Sequence, residues 1–167
     1  MTARNVIRVF AALAVVALAT ACLWGPPRRP SKYLVPDGFV GWVRIDFRVS
    51  DAPPTPIDSG FYVFEIPDDG WVRTSSDIEY GVATDEYYYV SPQGLRPLRM
   101  TGWGEGGTIW GQFNGKSESF SKSGGDGPAT SPSTATYELF FVGTEDDFHR
   151  LPEPRRASDG TEIPGRL

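Results

Sequence analysis

The sequence predicts an all-β fold: an antiparallel β-sandwich or a partly open barrel of six to seven short strands, with one short C-terminal helix. Two observations favour this class. Glycine and proline number 19 and 15 among 167 residues, which suits short strands joined by turns. Apolar and polar side chains also alternate strictly from Val43 to Val49, which is the period of a half-buried strand.

Two hairpins are predicted after this first strand. Their paired segments are residues 61–66 with 71–74 and residues 86–90 with 95–100. The connecting segments, Pro67-Asp68-Asp69-Gly70 and Ser91-Pro92-Gln93-Gly94, are rich in turn formers. Pro97 makes the second returning strand an edge strand or a broken one, because proline has no N–H to donate to a ladder.

The C-terminal half predicts two further strands and the helix. Residues 108–113 form a strand that Asn114-Gly115 ends with a hairpin-type turn. Residues 116–135 are dominated by serine and glycine and are expected to form a flexible loop. A mostly apolar strand at 136–142, expected at the centre of a sheet, precedes a helix at 144–150 with Thr144 as its N-cap.

The N-terminus is typical of a secretory signal. Arg4 and Arg8 precede an apolar run at 9–19, and the small residues Thr20 and Ala21 follow. The run is shorter than the roughly 20 apolar residues of a membrane span. The predicted organisation is a signal peptide at 1–21, a lipidated N-terminus with a Pro-rich tether at 22–32, a β-domain at 33–150 and a C-terminal tail at 151–167.

Three fates of this signal remain open. Ala19-Thr20-Ala21 fits cleavage by the ordinary signal peptidase, and the segment could also stay uncleaved as an anchor. With Cys22, the same residues resemble a lipobox, in which the cysteine is acylated, although Leu18 lies one residue too early. Cys22 is the only cysteine, and an unpaired exported cysteine favours acylation. We therefore expect export to the cell envelope and membrane anchoring on the periplasmic or outer side.

Residues that carry common catalytic chemistry are sparse. His149 is the only histidine, no G-x-S-x-G motif occurs, and no His/Cys cluster has zinc-ligand spacing. Residues 101–107 are glycine-rich but lack the Gly-Lys-[Ser/Thr] ending of a phosphate loop. The net charge of −5 disfavours nucleic acid as a partner. We expect no catalytic residue, no metal and no cofactor.

Aromatic side chains are the feature of the sequence that most directly suggests a function. Trp42, Trp103, Trp110 and Tyr88 are candidate ligand-binding residues, because exposed rings can stack on sugars or form a protein interface. The same rings could instead pack in the core, and their exposure distinguishes the two possibilities.

Three functions are compatible with these features. The first is a non-enzymatic envelope lipoprotein that binds an envelope protein or glycan. The second is a hydrolase of envelope glycan or peptide that uses a carboxylate pair from the loops. Its candidate residues are Asp77, Glu79, Asp85 and Glu86. The third is a structural or accessory domain whose aromatic side chains are all buried.

Residues 33–43, Tyr-Leu-Val-Pro-Asp-Gly-Phe-Val-Gly-Trp-Val, resemble a motif of a bacterial exported or lipoprotein family of unknown function, Y-[LI]-[IV]-P-x-G-[YF]-V-G-W-V. The likeness continues through residues 51–54, 64–67, 74–76 and 85–89, and extends to 140–144. The resemblance implies that these segments define one domain, and it implies no activity.

Overall fold

In this computed structural model, the chain is described at residues 25–100, 106–119 and 133–151. These residues form nine strands and one helix. They are β1 (Ser31–Pro36), β2 (Gly41–Phe47), β3 (Ile57–Asp58), β4 (Phe61–Glu65), β5 (Trp71–Arg73), β6 (Glu86–Ser91), β7 (Gly94–Pro97), β8 (Ile109–Ser119), β9 (Ser133–Val142) and α1 (Glu145–Arg150).

The strands form two facing sheets, which confirms the predicted β-sandwich. The five-stranded sheet has the order β3-β4-β1-β6-β7, and the four-stranded sheet has the order β5-β2-β9-β8. Both sheets are mixed, because β1 pairs in parallel with β4 and β6, and β2 pairs in parallel with β5. Parallel pairs arise here because the chain crosses to the other sheet and returns before the partner strand forms.

The core lies between the sheets, and Tyr33 on β1 is at its centre. The Tyr33 ring stacks on Tyr87 at 4.6 Å and on Phe64 at 5.4 Å between centroids, and it meets Phe140 edge-on at 5.1 Å. Tyr33 and Phe140 are fully buried. One aromatic column therefore joins three strands of the five-stranded sheet to β9 of the other.

A second cluster covers the outer face of the four-stranded sheet. Trp42, Trp110, Leu139 and Phe141 pack there, and α1 covers them with Phe148. The helix begins as predicted at the N-cap Thr144, with a reciprocal capping box to Asp147. Strand β2 is consequently buried on both faces, whereas its alternating sequence predicts burial on one face only.

The predicted hairpin at residues 61–74 is wrong, and the second predicted hairpin is confirmed. Residues 67–70 carry the chain from β4 to β5 in the opposite sheet, where the Arg44 N–H donates to the Gly70 carbonyl at 2.8 Å. Strands β6 and β7 pair around Ser91 and Gly94, and β7 is an edge strand, as Pro97 predicts.

The predicted turn at Asn114-Gly115 is also wrong, because β8 runs through both residues to Ser119. Gly115 lies opposite Tyr137, and a Cβ at position 115 would stand only 2.3 Å from the tyrosine Cζ. The glycine therefore makes room for a cross-strand aromatic ring rather than a turn.

The boundaries of the predicted segments shift in the structure. Strand β1 begins at Ser31, two residues before the predicted domain. Strands β8 and β9 extend into the predicted loop at 116–135, so that only residues 120–132 of it are outside a strand. Those residues lie outside the described part of the chain. The predicted signal peptide and nearly all of the predicted tail also lie outside them. No helix in the described part of the chain has the length and apolar character needed to cross a membrane.

Gly70 and Gly38 provide a matched test of the crossing between sheets. Both have a positive φ, 76° and 77°, but a Cβ on Gly70 would lie 2.4 Å from the Trp42 carbonyl oxygen, whereas a Cβ on Gly38 would meet nothing within 4 Å. We expect Gly70→Ala to lower the free energy of unfolding by about 3 kcal/mol or more, and Gly38→Ala by about 1 kcal/mol. Urea denaturation of both variants measures the difference in the free energy of unfolding. Equal losses would contradict the close approach of Gly70 to the Trp42 carbonyl oxygen.

Candidate binding cleft

The Pro-rich segment before β1 packs along the loop that precedes β6. Pro27 forms a parallel bridge with Val82, the Arg28 N–H donates to the Val82 carbonyl at 3.2 Å, and the Val82 N–H donates to the Pro26 carbonyl at 2.9 Å. Residues 25–30, predicted as part of an extended tether, are thus fixed to the domain by backbone hydrogen bonds.

An ion pair between Arg28 and Asp85 holds this segment in place. The guanidinium donates to both carboxylate oxygens, at 3.0 and 2.5 Å, and the Ser31 N–H donates to the same carboxylate at 2.8 Å. The hydrogen bond to Asp85 raises the pKa of Arg28. A bidentate, mostly buried pair fixes orientation more tightly than a surface ion pair.

A cleft of about 640 Å³ lies between this segment, the 79–85 loop and β8. Its polar lining consists of Arg28, Glu79, Thr84, Asp85, Gln112 and Asn114. Four large apolar side chains, called the apolar rim, also line it: Tyr80, Val82, Met100 and Phe113. The rim side chains are 57%, 45%, 54% and 37% exposed, respectively. The cleft therefore combines exposed apolar side chains with hydrogen-bonding groups.

A smaller cavity of about 50 Å³ shares Arg28, Glu79, Gln112 and Asn114 with the cleft and reaches Glu138 between the sheets. Only 7% of Glu138 is exposed, and its Oε1 accepts hydrogen bonds from the Tyr33 hydroxyl at 2.7 Å and the Gln112 amide at 2.9 Å. Burial raises the pKa of Glu138, and burial followed by the charge of Glu138 raises the pKa of Tyr33.

One buried hydroxyl in this part of the core makes no hydrogen bond. It is the Tyr87 hydroxyl, which has no hydrogen-bond partner among the described residues and does not line either cavity. Burial raises the pKa of Tyr87, the charges of Glu138 and Asp85 raise it further, and Arg28 and the Gln112 side chain lower it. An unpaired buried hydroxyl lowers the stability of the folded state.

Glu79 and Asp77 stand at the edge of the cavity with partners of their own. The Tyr62 hydroxyl donates to Glu79 at 2.5 Å, the Arg29 N–H donates to it at 3.3 Å, and the tyrosine hydrogen bond lowers the pKa of Glu79. Asp77 is paired with Arg48.

The candidate ligand-binding aromatics occupy different places. Trp42 and Trp110 are buried, 8% and 4% exposed, so neither ring can stack on a surface ligand. Both pack under α1, where Trp110 Nε1 donates to the Gly143 carbonyl at 2.9 Å. Tyr88 is half-buried on the outer face of β6 and donates to Glu86 at 3.1 Å, and its binding role stays a prediction. Trp103 and Cys22 lie outside the described residues.

The residues that form the cleft were mostly missed by the sequence patterns. Arg28 lies in a Pro-rich stretch with no local signal, and Asn114 has the sequence of a turn. Glu138 had a usable signal, because it is the one carboxylate in the mostly apolar strand segment 136–142.

Comparisons with known proteins give a partial family match and a similar solved structure. The model of a family of unknown function, DUF6843, matches residues 28–109, just under half of the chain, and this match includes 33–43. A crystal structure of a candidate lipoprotein from Bacillus anthracis is similar, with a TM-score of 0.54 and 18% identity, covering 78% of this chain and 86% of that one. This likeness shows the fold. No functionally curated protein matches the sequence.

The buried Glu138 predicts a specific pH dependence of stability. Because its folded pKa is raised, the native state binds more protons than the unfolded state between the two pKa values, and this group's contribution falls as pH rises through that window. We expect Glu138→Gln, which keeps an acceptor for Tyr33, to lose that decline and to gain stability relative to the parent as pH increases. Urea denaturation across the acid-to-neutral range measures this, and a parallel pair of profiles would contradict it.

Tyr33→Phe is the companion change. It removes the hydroxyl that donates a hydrogen bond to Glu138 but keeps the aromatic ring that stacks on Tyr87. We expect a loss of about 1–2 kcal/mol in the parent and a smaller loss in the Glu138→Gln background, where no charge is left buried. The double-mutant cycle gives the coupling energy, and a value of zero would show that the two groups act independently.

Proposed function

We propose that this chain is an exported envelope lipoprotein whose β-domain is a non-enzymatic binding module for an envelope glycan. The lipoprotein part is supported by the charged, apolar and small-residue order of the N-terminus, by the lone Cys22 after it, and by the similar fold of the candidate lipoprotein from Bacillus anthracis.

The cleft is the observation that carries the binding proposal. Sugars present hydroxyl groups around the ring and apolar faces above and below it. The cleft offers matching chemistry, with an exposed ring at Tyr80 and amide side chains at Gln112 and Asn114. Exposed aromatic rings, such as that of Tyr80, also argue against a purely structural domain with all aromatics buried.

A hydrolase remains the alternative, because Glu79 and Asp85 line the same cleft. Asp85 is held by both terminal nitrogens, Nη1 and Nη2, of the Arg28 guanidinium. The pKa of Glu79 is lowered, which is opposite to the shift that a general acid needs. Glu86, the fourth candidate, is paired with Lys32 and does not line the cleft. The geometry therefore favours binding over bond cleavage.

A glycan array with the purified full-length protein tests the binding function. We expect binding to at least one envelope glycan, about tenfold or more weakened by Gln112→Ala through the loss of an amide that lines the cleft. Leu95→Ala, an equally simple truncation of an exposed side chain on β7, is the control and should bind like the parent. Glycan binding that Gln112→Ala leaves unaffected would show that the binding site lies outside the cleft. Binding to an envelope protein and to no glycan would show that the ligand is a protein. Cleavage of a bound glycan would favour the hydrolase.

Acylation at Cys22 has its own test. We expect metabolic labelling with a fatty-acid analogue to mark the parent and not Cys22→Ala, and the variant to leave the membrane fraction, because this chain has no second cysteine to acylate. Label that persists on the variant would refute acylation at this residue, and an unlabelled parent would favour one of the other two fates of the signal.

A further inference from the structure

We propose that the apolar rim of the cleft rests on the surface of a phospholipid bilayer, so that the domain is held with this end toward the membrane. The inference rests on the proposed acylation of Cys22 and adds an orientation to it. It would give the protein a second contact with the membrane, made by the folded domain itself.

Chain length sets the position of the rim. Only Leu23 and Trp24 separate Cys22 from Gly25, and each residue spans at most about 3.6 Å, so Gly25 lies within about 11 Å of the acylated residue. A Cβ on Gly25 would stand 3.7 Å from the Val82 side chain, and Pro27 is bridged to Val82. Because residues 25–30 are fixed to the domain, acylation would keep Val82 near the headgroup layer.

The composition of the rim suits that layer. Eight large apolar side chains are exposed in the described part of the chain, and four of them, Tyr80, Val82, Met100 and Phe113, line this one cleft. Tyrosine favours the membrane interface, where its ring is in contact with lipid and its hydroxyl with water. Valine, methionine and phenylalanine gain free energy from shallow insertion beside it.

The opposite end of the sandwich supplies a matched control. Strand β1 runs from Ser31, which is bonded to Asp85 of the cleft, to Pro36, which is paired with Val90. Six residues of strand span about 20 Å. Leu95, opposite Val90 on β7, therefore lies well away from the rim, and it is 54% exposed, the same fraction as Met100.

Site-specific fluorescence on the full-length, acylated protein tests the orientation. Acylation would occupy the only natural cysteine, so Val82→Cys and Leu95→Cys each introduce a single free thiol for an environment-sensitive dye. The labelled proteins are reconstituted into vesicles of phosphatidylethanolamine and phosphatidylglycerol that contain a headgroup-level quencher lipid. We expect blue-shifted emission and several-fold stronger lipid quenching at position 82, and aqueous emission with iodide quenching at position 95.

The outcomes separate the orientation from the acylation. If both proteins float with the vesicles but the dye at 82 is as accessible to iodide as the dye at 95, the orientation is overturned and the lipoprotein stands. If neither floats, both fail. Met100→Cys repeats the rim measurement on a second segment, between β7 and β8, so that poor folding of one labelled variant does not decide the result.

Discussion

The hydrogen bond between Tyr33 and Glu138 is the interaction on which the arrangement of the two sheets depends. It joins β1, the central strand of one sheet, to β9, an interior strand of the other, through a carboxylate that is almost fully buried. A carboxylate in that position requires donors, and Tyr33 and Gln112 supply them. The same requirement keeps the small cavity polar, because the groups that satisfy Glu138 also line it or stack beside it. Core packing and the candidate site are therefore two aspects of one cluster.

The cleft depends in turn on the segment before β1. Arg28 reaches across to Asp85, and the backbone around Pro27 pairs with Val82, so the first described residues form a wall of the cleft. Both proposals depend on this segment. The proposed binding site includes Arg28 from it, and the proposed membrane contact depends on its short distance from Cys22.

Local sequence patterns predicted the elements well and their partners less well. The strand at Val43 was recognisable from its alternating side chains, and the hairpin around Ser91 and the capped helix at Thr144 rest on contacts close in sequence. The structure contains all three elements. Residues 67–70 have the composition of a hairpin turn, yet the chain crosses there to the other sheet, since long-range packing decides which strand receives β5. Glu138 was recognisable as an unusual residue in an apolar strand, but its partners, Tyr33 and Gln112, lie far away in sequence.

The central position of β1 in its sheet also affects the order in which the domain folds. β1 is synthesised before its two neighbours, and its first residues pair with Tyr62 and Glu86, so its ladders close over 31 and 54 residues. Loop closure of that length comes before any gain from the contacts, which makes such topologies slow to fold. Until both neighbours arrive, Tyr33 and Val35 have no sheet to join. Strand β1, which is synthesised first, is thus among the last parts of the domain to reach its native conformation. A nascent chain shorter than about 90 residues should need protection from aggregation.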